Sequence, residues 1–198
     1  ATWLQQFIRQ KGFTIDPKAL SMLTDHLGTD IAKISNEIRK LTVSLPEGTQ
    51  RITDADIEAN IGISKDYNNF ELCKAVATRD MARALMIAEH FARNPKDNPL
   101  LVTVLALFGQ FKELFVVNYL RWLSRHKGVA FPPDTELMRI LKKSNVYVIG
   151  EIKQNAVNWD NRKVFNILGL LREYDAKSKG LNAGGASDGE LLRELLLK

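Results

Sequence analysis

The 198-residue chain has 45% hydrophobic and 26% charged residues, one cysteine and six prolines, which excludes disordered, fibrous and disulfide-stapled classes. The length suits one large or two small domains, and the single Cys73 has no internal disulfide partner, as in a reducing compartment. Residues 1–62 carry seven Lys/Arg against eight Asp/Glu and residues 63–198 carry 21 against 15, so the whole positive excess lies in the second part.

In chain order, Trp3, Leu4, Phe7 and Ile8 give an initial helix an apolar face. Asp16 followed by Pro17 reads as an N-cap with proline at the first helical position, and Gly28 closes that helix behind Ala19, Leu20, Leu23 and Leu27. Thr29 is expected to cap the next, whose stripe is Ile31, Ile34, Ile38, Leu41 and Leu45, with Pro46 and Gly48 ending it. Thr53 starts a short helix through Asp56, Ile57 and Ile61, stopped by Gly62. Residues 63–68 read as a polar connector.

Helices follow over Asn69–Ala77 and Asp80–Arg93. Asn98 is expected to cap a long helix to about Arg125 that is apolar on most faces at first, through Leu100, Leu101, Val104, Leu105, Leu107 and Phe108. Its apolar run contains Thr103 and falls short of the roughly 20 residues of a membrane span, so it reads as a buried central helix. Shorter helices are expected over Asp134–Lys143, Val146–Asn158, Asp160–Lys179 and Asp188–Leu197, the last behind a glycine-rich linker at 180–189. No strand or 20–50-residue repeat emerges, and the expected fold class is all-α in two domains.

The pattern holds little catalytic chemistry. Gly184 and Gly185 lack the Gly-Lys-Ser/Thr ending that grips phosphates. One cysteine and three scattered histidines, His26, His90 and His126, make no zinc-ligand pairs. Glu71, Glu89 and Glu113 sit at spacings of solvated helix faces, and Cys73 reads as core. No catalytic residue, cofactor or metal is expected. The opening Ala1–Gln10 has no secretory pattern, and the start without methionine reads as a fragment of a cytoplasmic protein.

An ordered series of short motifs points further. Gly28, Thr29, Asp30 and Ile31, then Ile34, Asn36, Glu37, Ile38, Lys40 and Leu41, resemble a signature of the delta subunit of bacterial DNA polymerase III. Ile52, Thr53, Ala55, Asp56 and Ile57 resemble a second element of that family, and Tyr67, Asn68, Phe70, Glu71 and Leu72 its entry to a third domain. Ala84, Leu85, Asn94 and Pro99 follow its trend loosely, and Tyr174, Asp175, Ser178, Lys179 and Gly180 resemble a late element. Ser35 stands where the family usually has leucine, and the loop after Pro95 lacks its glycine.

The resemblance covers the family's second and third domains. It implies a helical lid of AAA+ type at 1–62, a connector at 63–68 and a helical collar at 69–198. It further implies a non-catalytic clamp-loader subunit of the polymerase III holoenzyme, a nucleotidyltransferase complex. Its partners would be the delta prime and gamma/tau subunits, primer–template DNA, and the sliding clamp through an N-terminal domain, with no membrane. On this reading Phe115, Val116 and Leu120 are the candidate assembly surface, and Tyr174 with Arg172, Lys177 and Lys179 the candidate DNA contacts, Tyr174 being partly exposed to stack a base. The connector is expected to carry few contacts between the two units. Two alternatives are a general all-α nucleic-acid-binding module, suggested by the basic second part, and a metabolic enzyme with a helical domain.

Overall fold

The computed structural model describes residues 2–27, 31–62, 64 and 66–198. Gly28, Thr29 and Asp30, where a helix end, a cap and part of the first motif were expected, lie outside the described residues, as do Ile63 and Lys65 of the connector. Among the described residues there are eleven α-helices, one 3-10 turn and two two-residue strands. The fold is all-α.

The first unit comprises α1 (Thr2–Gln10), β1 (Thr14–Ile15), α2 (Pro17–Leu27), α3 (Ile31–Ser44), β2 (Arg51–Ile52) and α4 (Asp54–Ile61). The apolar stripes converge on one core that includes Leu4, Ile8, Leu23, Ile38, Leu41, Ile52 and Ile57. Full burial of each such side chain is worth about 1.5–3 kcal/mol. The strands were not expected. They pair in parallel, Thr14 opposite Arg51 and Ile15 opposite Ile52, and the Arg51 guanidinium bonds the Asp16 carboxylate beside them. Thr53 and Asp56 form a reciprocal capping box, and Gly62 ends α4 at φ +78°, in the left-handed region that glycine adopts without a Cβ penalty.

The second unit comprises α5 (Asn69–Ala77), α6 (Met81–Arg93), α7 (Leu100–Lys127), α8 (Asp134–Leu141), α9 (Val146–Asn155), a 3-10 turn at Ala156–Asn158, α10 (Asn161–Ser178) and α11 (Asp188–Leu197). Asn68, Asp80, Asp160 and Ser187 cap α5, α6, α10 and α11 through side-chain oxygens. Helix α7 is the spine, with α5, α9 and α10 against it, while α11 folds back between α6 and α10. A separate core runs from Leu72 through Phe91, Leu107, Phe111 and Leu171 to Leu195.

Asn98 does not cap α7. Helix α7 starts one residue later behind Pro99, and the Asn98 side chain donates instead to the Asn94 carbonyl. The first N–H of α7 is met from far away, because the Asp188 carboxylate at the start of α11 accepts from Leu100 N at 3.3 Å.

More crosses between the units than the polar connector suggested. Lys18 of α2 bridges Asp54 of α4 at 3.0 Å and Glu71 of α5 at 2.7 Å. Gln5 of α1 donates to Ser144 at 3.4 Å, and α2 packs directly on α5. Burial opposes the Lys18 charge, but its hydrogen bonds to Glu71 and Asp54 outweigh that and hold the ammonium above the usual lysine range.

Candidate functional site

Among the described residues, no three His, Cys, Asp or Glu side chains converge to hold a metal ion. Cys73 is buried on α5. It lines a cleft of about 530 Å³ whose walls come from α2, α5, α7 and α9. Glu113 of α7 sits in that wall, paired to Lys143 at 2.6 Å. Burial pushes its carboxyl above the usual range and Lys143 only partly offsets this. The arrangement is an ion pair fastening the segment after α8 to α7.

The segment entering α5 is clamped by a stack of three groups. The Tyr67 ring lies parallel to His90 with centroids 4.6 Å apart, and the Arg83 guanidinium sits 5.1 Å over the same ring while donating to the Asp66 carbonyl at 2.8 Å. This cation–π and stacking arrangement holds the connector on α6.

The surface expected for assembly is turned differently from the sequence reading. Phe115, Val116 and Leu120 are half-buried rather than exposed, and Phe115 packs against the second core. Leu105 and Phe108, read as part of a core stripe, face solvent at 57% and 41%, and Tyr119 and Trp122 are exposed beyond them. The first half of the helix is apolar on most faces, and the inward side is set by α5, α9 and α10. Rotation is 100° per residue, so Leu120 and Tyr119 fall on different flanks. Rings follow one another along the outer face: Phe115 and Tyr119 are parallel at 6.5 Å, Tyr119 and Trp122 at 6.2 Å, Trp122 and His126 at 5.2 Å. By length and apolarity α7 passes for a membrane span; its inner flank, including Thr103, Val104, Leu107, Phe111 and Leu114, is packed in the second unit.

Tyr174 corrects the sequence expectation outright. Its ring is fully buried, at 0% exposure, and offers no platform for a base. The cause is α11, which folds back so that Leu191, Leu192 and Leu195 join the same core. The ammonium groups of Lys177 and Lys198 lie over the ring at 4.4 and 5.4 Å. The hydroxyl adjoins Glu194 and Lys198 without well-formed hydrogen-bond geometry, and burial raises its pKa. Lys177 is paired with Glu173 at 2.9 Å, and Lys179 with Asp175 at 2.7 Å. Arg172 is exposed on α10. Of the four expected contacts, Tyr174 and Lys177 thus belong to the packing of α10 on α11, while Arg172 and Lys179 are exposed.

Comparison with protein families gives no match, and neither does comparison with curated proteins. Among solved structures, the DNA clamp loader delta protein YqeN of Bacillus subtilis is similar over 99% of this chain, with TM-score 0.53 and 19% sequence identity. This chain spans 53% of that one, about half its length. The likeness establishes a clamp-loader-like fold.

Proposed function

We propose that this chain is the lid and collar of a delta-type clamp-loader subunit in bacterial DNA replication, a non-catalytic part of the polymerase III holoenzyme. The observation that carries the reading is the fold likeness to a clamp loader delta protein over 99% of the chain. The motif series from Asn36 to Gly180 points to the same family by an independent route. Residues 1–62 would be the lid, 63–68 the connector and 69–198 the collar, in keeping with two separate apolar cores. The partners would be the delta prime and gamma/tau subunits, with the sliding clamp reached through a domain that the family carries ahead of the lid. Primer–template DNA would be met only in the assembled complex, in the cytoplasm.

Size-exclusion chromatography of the chain with the other loader subunits of the same source tests this. Co-elution in a larger complex is the expected result, and separate elution at every mixing ratio overturns it. A second reading, a stand-alone nucleic-acid-binding module, draws on the positive excess in residues 63–198. It requires that the chain alone bind DNA with a steep salt dependence, because each neutralised phosphate releases counterions.

A further inference from the structure

Helix α7 carries a row of side chains that the rest of the molecule leaves uncovered. Leu105, Phe108, Lys112, Tyr119, Trp122 and His126 are exposed, and half-buried Phe115 completes the series. The steps along it alternate between three and four residues without a break. Such a spacing repeats every seven residues and is the pattern by which one helix receives another, side chains interlocking along a shared seam. Other exposed apolar residues, such as Val43 and Phe165, stand singly and need no partner. At 1.5 Å per residue the row from Leu105 to His126 runs for about 32 Å.

The orientation of the rings favours a helix over a nucleic-acid strand. Phe115, Tyr119, Trp122 and His126 are near-parallel, with interplanar angles of 1°, 13° and 21° along the row. Each ring is already stacked against the next along the row, whereas an unpaired base needs an open face.

Charge selects the kind of helix. Arg125 and Lys127 are exposed beside Trp122 and His126, and Lys112 lies within the row. The one acidic residue of α7 is Glu113, which is already paired with Lys143. A second copy of this seam would bring cations and no free acid to the contact. We propose that the seam docks an amphipathic helix of another loader subunit, one whose apolar heptad row is flanked by acidic side chains. The identity of the partner rests on the loader reading above; the helix and its charge rest on the seam.

The test uses the full chain and a labelled synthetic helix of about four heptads, with leucine along its row and glutamate on its flanks, and a counterpart carrying lysine there. Fluorescence anisotropy is expected to give the acidic helix at least about tenfold tighter binding than the basic one, roughly 1.4 kcal/mol. Trp122→Ser and Tyr119→Ser should each weaken it severalfold with circular dichroism unchanged, while Phe165→Ser on α10 leaves it intact. Joint reversal of Lys112, Arg125 and Lys127 to glutamate should switch the preference to the basic helix, which keeps the test open if an aromatic variant unfolds. Equal affinity for both helices, no binding, or indifference to every seam variant overturns the proposal. So does a dimer of this chain that Trp122→Ser dissociates, or a single-stranded oligonucleotide whose binding the same variants abolish. The synthetic helix needs no loader subunit, so failed co-elution removes the loader reading alone, and failed helix binding removes the seam alone.

Discussion

Gly189 of α11 and Ala92 of α6 approach so closely that a Cβ added at Gly189 would lie 2.4 Å from the Ala92 Cβ and 2.9 Å from its Cα. Backbone as well as side chain blocks the added methyl, so one helix must shift off the other. Gly189→Ala should therefore destabilise the protein by about 1–3 kcal/mol, the usual range for overpacking, despite alanine's better helix propensity. Gly169→Ala in α10, where nothing lies within 4 Å, should stabilise by about 0.5–1 kcal/mol. Urea melts of the two variants check both signs.

Tyr174 separates packing from recognition. Tyr174→Ala removes a fully buried ring and should cost about 3–5 kcal/mol. Tyr174→Phe removes only a hydroxyl without a well-formed hydrogen bond and should change stability by less than about 1 kcal/mol. Denaturant midpoints decide this, and a large loss for the phenylalanine variant would mean that the hydroxyl is well bonded to Glu194 or Lys198.

Glu113 sits where burial disfavours its charge. Burial raises its pKa despite Lys143, so protonation is easier in the folded state than in the unfolded one. Its contribution to stability is full below the unfolded pKa and is lost as pH rises through the folded value. Glu113→Gln should accordingly hold or raise the melting temperature at pH 7, since the neutral amide avoids the desolvation cost. A fall of several degrees in calorimetry would mean that the pair with Lys143 outweighs burial.

The Lys18 bridge gives the opposite dependence at its two ends. Burial works against the Asp54 carboxylate, yet its bond to Lys18 holds it below the usual range. Its contribution is present above the unfolded aspartate pKa and lost as pH falls through the folded one. Lys18 is raised, so its share is present below the unfolded lysine value and lost as pH climbs past the folded one. Both groups are partly solvated, which limits the effect to about 1 kcal/mol. Lys18→Met should flatten these acid and alkaline limbs in pH-dependent melts, and an unchanged profile would contradict the bridge.

Local signals made most of the helices legible. Thr53 with Asp56, Asn68, Asp80, Asp160 and Ser187 mark starts that depend on residues three positions away. What stayed hidden depends on distant parts of the chain. Leu105 and Phe108 look like core because the first half of α7 is apolar on most faces, and only the packing of α5, α9 and α10 decides which flank is covered. The heptad row of α7 was present in the spacing, and Phe115 belongs to it, yet Val116 and Leu120 drew the reading off the row onto a neighbouring flank. Tyr174 looked available because Arg172, Lys177 and Lys179 lie beside it near the helix end, whereas Gly189 lets the final helix press onto Ala92 and close over the ring. The strands at Thr14 and Arg51 are too short for any alternating pattern.

The cap that Asp188 places on Leu100 spans 88 residues of chain, which sets an order of events during synthesis. At roughly 5–20 residues per second, α7 leaves the ribosome several seconds before the carboxylate that completes its N-terminus. The first unit closes its core among residues 4–57 and can fold while the second is still being made. During that interval the inner flank of α7 is without α10 and α11, and its apolar length is open to chaperones and to wrong partners. The larger unit is thus made vulnerable by its own connectivity, and α11 is the element that ends the exposure.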